Sequence, residues 1–491
     1  MSKNSCRVAL LLLVTGAHAF RSPRPFKVVT RGLLPATGVS PDSSADLPPE
    51  LPRPEVLRVL KEAIEENIAA EQTALAADQH HHAKSRNITS FKAKPTRSSP
   101  RSVNEKGQFY VSEGCINCGT CRWIAPETFA ARGFKSAVVD QPAASYASHR
   151  VEDTPTTSPL RKAVQAMVTC PSGSIRTTEP LGPLVRRVIE EDFPRDIDPE
   201  RLPGVYHLGF HRHGTIGAAA YLLVRRSGGA KLGEHLNIMV DVPRYNRRLA
   251  DSIERRFGGI DYLVLTSRGL EEGHAQWKAR FPNLVRVMHR HDLKTGDTLS
   301  TVEEVLDGSG PWDLTLDDDG DDDTAASASD VRILHTPGRT FGALSVWFQP
   351  QLPLAHLDND VKDREFEKEG EKEDGRDGWE PSAAVAVSQQ FDAVMLAGGH
   401  LGFDSKRERL EGFSGMNRAG LERQAASIRA LVARTSSGDE RASRSGDKDP
   451  RPWQWLLSSY GKPVRFSDEQ ELHRSIDDVA SRLESGRRTL I

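Results

Sequence analysis

Four of the chain's five cysteines constrain its fold more than any other feature. Cys115, Cys118 and Cys121 stand at C-x2-C-x2-C, and Cys170, far downstream, is followed at once by Pro171. Three thiolates on one tight loop can grip three corners of an iron–sulfur cubane, a distant fourth closes the cage, and the trailing proline bends the chain away. Zinc also accepts four thiolates, but normally as two separated pairs that reach tetrahedral positions without straining one loop. Disulfides are the bland alternative, yet the first three cysteines sit awkwardly close for independent bridges. The spacing therefore predicts one iron–sulfur cluster held by Cys115, Cys118, Cys121 and Cys170. With no second cluster motif, an electron must come from or go to another molecule or a site elsewhere in the chain.

A length of 491 residues leaves room for two or three domains. Lys plus Arg (66) against Asp plus Glu (68) gives a net charge of -2, so nothing electrostatic argues for a nucleic acid or an anionic membrane as partner. No apolar run is long enough to span a bilayer, and no stable membrane insertion is expected.

The N-terminus has its own layout. Lys3 and Arg7 precede an apolar run from Val8 to Val14, and Ala17, His18 and Ala19 follow as a cleavage pattern. From Phe20 onward Arg21, Arg24, Lys27 and Arg31 occur with no acidic residue before Asp42. A signal peptide, a Phe at the cut and a basic, acid-free stretch resemble the bipartite plastid-targeting leader of algae. Residues 1–40 are thus expected to be a leader to the plastid stroma, a secreted fate being the alternative. The sequon at Asn87 is read as chance.

Residues 41–106 read as linker carrying one amphipathic helix, with Leu57, Leu60, Ile64, Ile68 and Leu75 at helical spacing; His80, His81 and His82 read as its solvated end, a metal role for the His run being the alternative. A compact segment is expected over 107–178, with a polar loop at 143–158. Beyond it, over 200–490, short apolar runs alternate with helical stretches, as in an α/β domain. Tyr221 to Arg225, Asn237 to Val242 and Tyr262 to Thr266 read as strands and Asn246 to Phe257 as a helix. Three polar inserts, near 317–330, 358–380 and 435–451, read as disordered surface loops.

The segment CINCGTCRW, Ala125-Pro126-Glu127 with Phe129, and CPSGSI from Cys170 resemble the single-cluster bacterial-type ferredoxins. All four cysteines being present, the resemblance implies one [4Fe-4S] cluster in a small α+β domain. Further on, GTIGAAAYLLV (214–224), NIMVDVPRY (237–245), DYLVLTSRGLEEGHAQWKARF (261–281), ILHTPGRTFGALSVWF (333–348), VMLAGGHL (394–401) and WLLSSYGKPVRF (455–466) resemble the metallo-β-lactamase family, specifically plant and algal members fused to a ferredoxin segment. This implies an αββα sandwich whose loops at one edge hold two metal ions, a metal-bound hydroxide attacking a carbonyl.

Position by position, the resemblance breaks at the ligands. Ser267 follows Thr266 where the family has His, Gly269 and Gly273 replace acidic residues, and His274 alone survives. Arg339 occupies the ligand position of the Thr-Pro-Gly-His turn, with His335 flanking it. Gly399 stands for the bridging Asp, and Ser458, Ser459 and Tyr460 precede Gly461 where Pro-Gly-His-Gly is expected. A lone His cannot hold a metal and Arg339 would repel one, so no zinc or di-metal site is expected in this domain. The rival is a regrouping of His274, His400, His356, or His289 with His291. Arg339, Tyr460 and His274 are a candidate anion pocket. No Walker A loop, G-x-G-x-x-G or nucleophile elbow occurs, Met416 spoiling the last.

The expectation is a plastid iron–sulfur protein for electron transfer or redox sensing, with a catalytically degenerate metallo-β-lactamase-like domain that binds a redox partner protein or small ligand. The alternative is a metal-dependent hydrolase or oxidoreductase with the cluster as electron source. A third is that the cluster only staples the small domain.

Overall fold

The computed structural model describes residues 96–142, 155, 157–226, 235–293, 302–314, 330–350, 391–433 and 453–486. The expected leader, the helix over 54–78, the His80–His82 run, most of the loop at 143–158, His356 and nearly all of the three polar inserts lie outside the described residues. Among those described, no helix is long and apolar enough to cross a membrane.

The first module runs β1 (Phe109–Val111), α1 (Thr120–Ile124), β2 (Phe129–Arg132), β3 (Lys135–Val138), α2 (Pro159–Thr169) and β4 (Ile175–Thr177). β1 pairs antiparallel with β4, and β2 with β3. Helix α2 starts where Ser158 accepts the Arg161 N–H and a proline fills the first turn; it buries Leu160, Ala163 and Val164. Residues 96–106, expected as the end of a linker, belong to this module. Asn104 Oδ1 accepts the Val111 and Val138 N–H groups, and the Arg97 carbonyl accepts the Gly114 N–H.

After α3 (Gly182–Asp192) come β5 (Arg195–Asp196), β6 (Val205–His207), β7 (Tyr221–Arg226), β8 (His235–Val240), α4 (Arg247–Phe257), β9 (Tyr262–Val264), α5 (His274–Arg280), β10 (Val285–His289) and β11 (Glu304–Leu306). Their strands form one sheet in the order β11-β10-β9-β8-β7-β6-β5, parallel from β8 to β11 and antiparallel elsewhere. Helix α4 has its sequence signals in place: Asn246 caps the Leu249 N–H, and Gly258, at φ 81°, ends the helix in the left-handed conformation. Strand β8 stops at Val240, two residues before the expected end, because Asp241 turns to φ 60°.

The second sheet follows: β12 (Trp312–Asp313), β13 (Val331–His335), β14 (Leu344–Phe348), β15 (Val394–Gly398), then a hairpin β16 (Gly402–Asp404) and β17 (Arg409–Glu411), helix α6 (Leu421–Ala433), β18 (Trp455–Ser458), β19 (Val464–Arg465) and α7 (Glu469–Glu484). Its order is β12-β13-β14-β15-β18-β19, with only β15 and β18 parallel. Every residue of β14 and β15 is buried, as expected of strands covered on both faces.

Between the sheets lies one core, with Leu223, Ile238 and Val264 from the first facing Ile333, Val346 and Leu396 from the second. The outer face of the second sheet is covered by α6 and α7 through Ile428, Leu431, Ile476 and Val479. The outer face of the first packs on α4 and α5, and here the core runs on into the first module: Phe109, Val111, Ile124 and Val164 share it with Leu222, Met239, Leu249 and Trp277. The layering is helix, sheet, sheet, helix, as the resemblance implies. Segments 107–178 and 200–490, read from sequence as two domains, form one compact unit.

Helix α2 is tied to α3 by a buried ion pair. Arg161, 2% exposed, donates from Nε and Nη2 to the equally buried Asp192, which also accepts from Gln165. Asp330, assigned from sequence to a disordered insert, is instead buried and paired with Arg225 Nε.

Candidate functional site

All four cysteines line one cavity, of about 340 Å3 counting its open mouth, together with Ser136 and Ile175. The antiparallel pairing of β1 with β4 brings the loop after β1 beside the end of α2, and the Ser112 N–H donates to the Ser174 carbonyl across the junction. The loop is tight because Asn117 and Gly119 adopt positive φ, 61° and 82°. Cys170 caps the C-terminus of α2, its N–H reaching the Ala166 carbonyl.

Burial raises the Cys118 thiol to about 11 and the Cys121 thiol to about 12, outweighing hydrogen bonds from Thr120 and Ser136 respectively. Without a bound cation these sulfurs hold their protons, and binding iron as thiolates would release them. Polar groups already surround the sulfurs. The Asn117 N–H donates to Cys115 Sγ at 3.5 Å, Ser136 Oγ lies 3.3 Å from Cys121 Sγ, and Arg122 Nη1 donates to Ser136 Oγ at 2.8 Å. Among the described residues, no imidazole or carboxylate lines the cavity. Four sulfur donors, apolar walls and donors aimed at sulfur fit an iron–sulfur cluster.

The sandwich reaches this cavity. A Cβ at Gly217 would meet Cys118 Cβ and Pro171 Cγ at 3.1 Å, and φ is 83°, so both the close approach and the backbone conformation favour glycine. Thr120 Oγ1 lies 3.3 Å from His211 Nδ1, and His211 Nε2 lies 2.8 Å from His207 Nε2. Burial drives His207 well below its ordinary value and His211 to about 3, so both rings are neutral. Sequence reasoning missed this pair: its partners lie across the module boundary.

The positions aligned with metallo-hydrolase ligands also gather. Arg339 lies over the Tyr460 ring, 5.5 Å from its centroid, and donates to Met416 Sδ at 2.7 Å. A Cβ at Gly399 would meet Arg339 Cδ at 2.6 Å, and one at Gly269 would lie 3.8 Å from Nη2. The guanidinium thus fills the space between the replaced positions. Beside it Asp241 accepts from Thr266 N–H at 3.0 Å, from the Thr266 hydroxyl and from Ser459 Oγ at 3.0 Å. Burial raises its carboxyl to about 6 against the pull of these donors and of Arg339.

His274 does not join Arg339 and Tyr460 in an anion pocket. Its Nδ1 accepts from Arg286 Nη1 at 2.9 Å, and Arg286 is paired with Glu303. His400 is buried among other residues, its ring held near 3 by desolvation. The regrouping that does occur includes His335, which the family comparison left as a flanking residue: His289, His291 and His335 place ligand atoms within 4.8 Å of one another. The expectation of no zinc or di-metal site in this domain is therefore not borne out, since these three side chains could hold a metal ion. The i, i+2 spacing of His289 and His291 at a strand end was the available signal; the third member comes from the other sheet.

Residues 111–177 match the family model described as the 4Fe-4S single cluster domain of Ferredoxin I. Among solved structures the chain is distantly similar to the DIM-1 metallo-beta-lactamase, at 12% identity over 57% of this chain and 93% of that one, with a TM-score of 0.31. It is similar to the mono-zinc form of the metallo-beta-lactamase FIM-1 from Pseudomonas aeruginosa (12% identity, 54% and 84% covered, TM-score 0.28). A B3 metallo-beta-lactamase with an active site glutamic acid gives 15% identity, 63% and 96% coverage and a TM-score of 0.29. A search of curated proteins found no match.

Proposed function

We propose that the chain is an electron-transfer or redox-sensing protein in which Cys115, Cys118, Cys121 and Cys170 hold one [4Fe-4S] cluster as thiolates. The observation that carries this reading is the convergence of those four sulfurs, from two segments, on a single cavity that no described imidazole or carboxylate lines. When bound, the cluster supplies one-electron chemistry. The chain's own part is to exclude water with Val111, Ile116 and Ile175, to direct the Asn117 N–H at Cys115 sulfur and to hold Ser136 Oγ 3.3 Å from Cys121 sulfur.

The larger part of the chain serves in this reading to bind a redox partner or small ligand rather than to hydrolyse. Arg339 and the Gly, Ser and Tyr residues around it cannot replace imidazole and carboxylate ligands. The leader-like N-terminus supports a plastid address. Purified anaerobically, the chain should hold about four irons and matching sulfide, lose both in Cys170→Ser, and reduce reversibly at a low potential. A chain that binds zinc through these cysteines, or a cluster that never reduces, would defeat the electron-transfer reading.

A further inference from the structure

We propose that His289, His291 and His335 form a binding site for one divalent first-row transition-metal ion of the zinc class, separate from the cysteine cavity and from the positions aligned with metallo-hydrolase ligands. His289 ends β10 in the first sheet, His291 follows in the 3-10 turn Arg290–Asp292, and His335 ends β13 in the second. The site therefore bridges the two sheets at one edge of the sandwich.

Two of the rings are already held in the tautomer a metal requires. A carbonyl oxygen only accepts, so His289 Nε2 donates to Gly308 at 3.0 Å and His335 Nε2 donates to Phe341 at 2.8 Å. Each neutral ring then carries its lone pair on Nδ1. An N–H anchored to a backbone carbonyl is the usual outer support of a metal-bound imidazole. His335 Nδ1 has no competing bond among the described contacts, while His289 Nδ1 accepts a long bond, 3.2 Å, from the His291 N–H. The His289 and His335 rings lie parallel, 4.3 Å apart, and His291 is exposed and can rotate toward them.

The distances are close to what coordination needs. Ligand atoms within 4.8 Å must contract to about 3.4 Å around a tetrahedral ion with bonds of about 2.0–2.1 Å. A small opening of the ring stack and a turn of His291 supply that. Three imidazoles leave a fourth position for water and favour zinc, cobalt, nickel or copper over calcium or magnesium.

The surrounding frame is hydrogen-bonded through a buried carboxyl group. Asp292, buried beside His291, accepts from the Arg268 N–H at 2.8 Å, the Thr340 hydroxyl and the Gly342 N–H at 3.1 Å. It thereby ties together the loop after β9, the turn after β10 and the loop after β13. The Arg268 guanidinium is directed at the carbonyls of His291, Asp292 and Leu293.

The test uses the untagged full-length, cluster-loaded chain, with zinc alone as the probe in equilibrium dialysis. His291→Ala removes an exposed ligand without disturbing the core, and His335→Gln removes the one best preset. Each variant should bind about one zinc per chain fewer than the unaltered protein, with iron and sulfide unchanged. Zinc should raise the unfolding temperature of the unaltered chain and not that of His291→Ala. Zinc held by His80–His82 or by cysteines would persist in both variants. Equal zinc in all three proteins, or sulfur around the zinc in X-ray absorption, overturns the proposal while leaving the cluster reading standing.

Discussion

Replacing Asp241 by Asn removes one buried charge while keeping the side chain's shape and one of its oxygens. In the native protein the carboxyl titrates at about 6 rather than at its ordinary 3.8, chiefly through burial. A carboxyl raised on folding stabilises the native state fully below its unfolded value and loses that contribution as pH climbs through the folded one. The two-unit shift amounts to about 3 kcal/mol lost by pH ~8 and about 1.5 kcal/mol lost by pH ~5. Whatever constant cost the amide brings to the bonds with Thr266 and Ser459, Asn should gain on Asp by about 1.5 kcal/mol between those two pH values. Anaerobic urea unfolding of both proteins at each pH gives the difference directly. A gap that stays constant with pH, or that moves toward Asp as pH rises, would refute the reasoning.

Two further perturbations probe the module that carries the cysteines. Ser136→Ala removes a hydroxyl 3.3 Å from Cys121 Sγ; losing a donor that favours the reduced, more negative cluster should lower its potential by about 20–40 mV, taking about 0.5–1 kcal/mol of differential hydrogen bonding. Spectroelectrochemical titration reads this, and an unchanged or raised potential counts against it. Asp192→Ala removes the buried partner of Arg161 and should cost about 3–5 kcal/mol of stability in denaturant unfolding; a loss below about 1 kcal/mol would mean that Glu191 alone suffices for the guanidinium.

What could be read from the sequence was local. The cysteine spacing, the helix from Asn246 to Phe257 and the strand from Tyr221 to Arg225 each depend on residues near one another in the chain. The gathering of Gly269, Arg339 and Gly399 at one place was also legible, because the surrounding segments keep their order. What could not be read depends on surfaces meeting. His335 joins His289 only because the edges of the two sheets coincide, and His211 meets Thr120 only because the loop from the sandwich lies on the first module. Asp330 reads as the last letter of an acidic, low-complexity run until Arg225 stands opposite it. The nearness of Arg339 to the Asp241 carboxylate likewise follows from packing, not from any motif.

The close seat of Gly217 against Cys118 and Pro171, with a hydrophobic core common to both parts, makes the fusion more than a tether. An electron carrier on a flexible arm can lose its inorganic core and leave its neighbour intact. Here oxidative damage at the cysteines would open a void beneath the backbone of the sandwich, so the whole chain would age with its cluster.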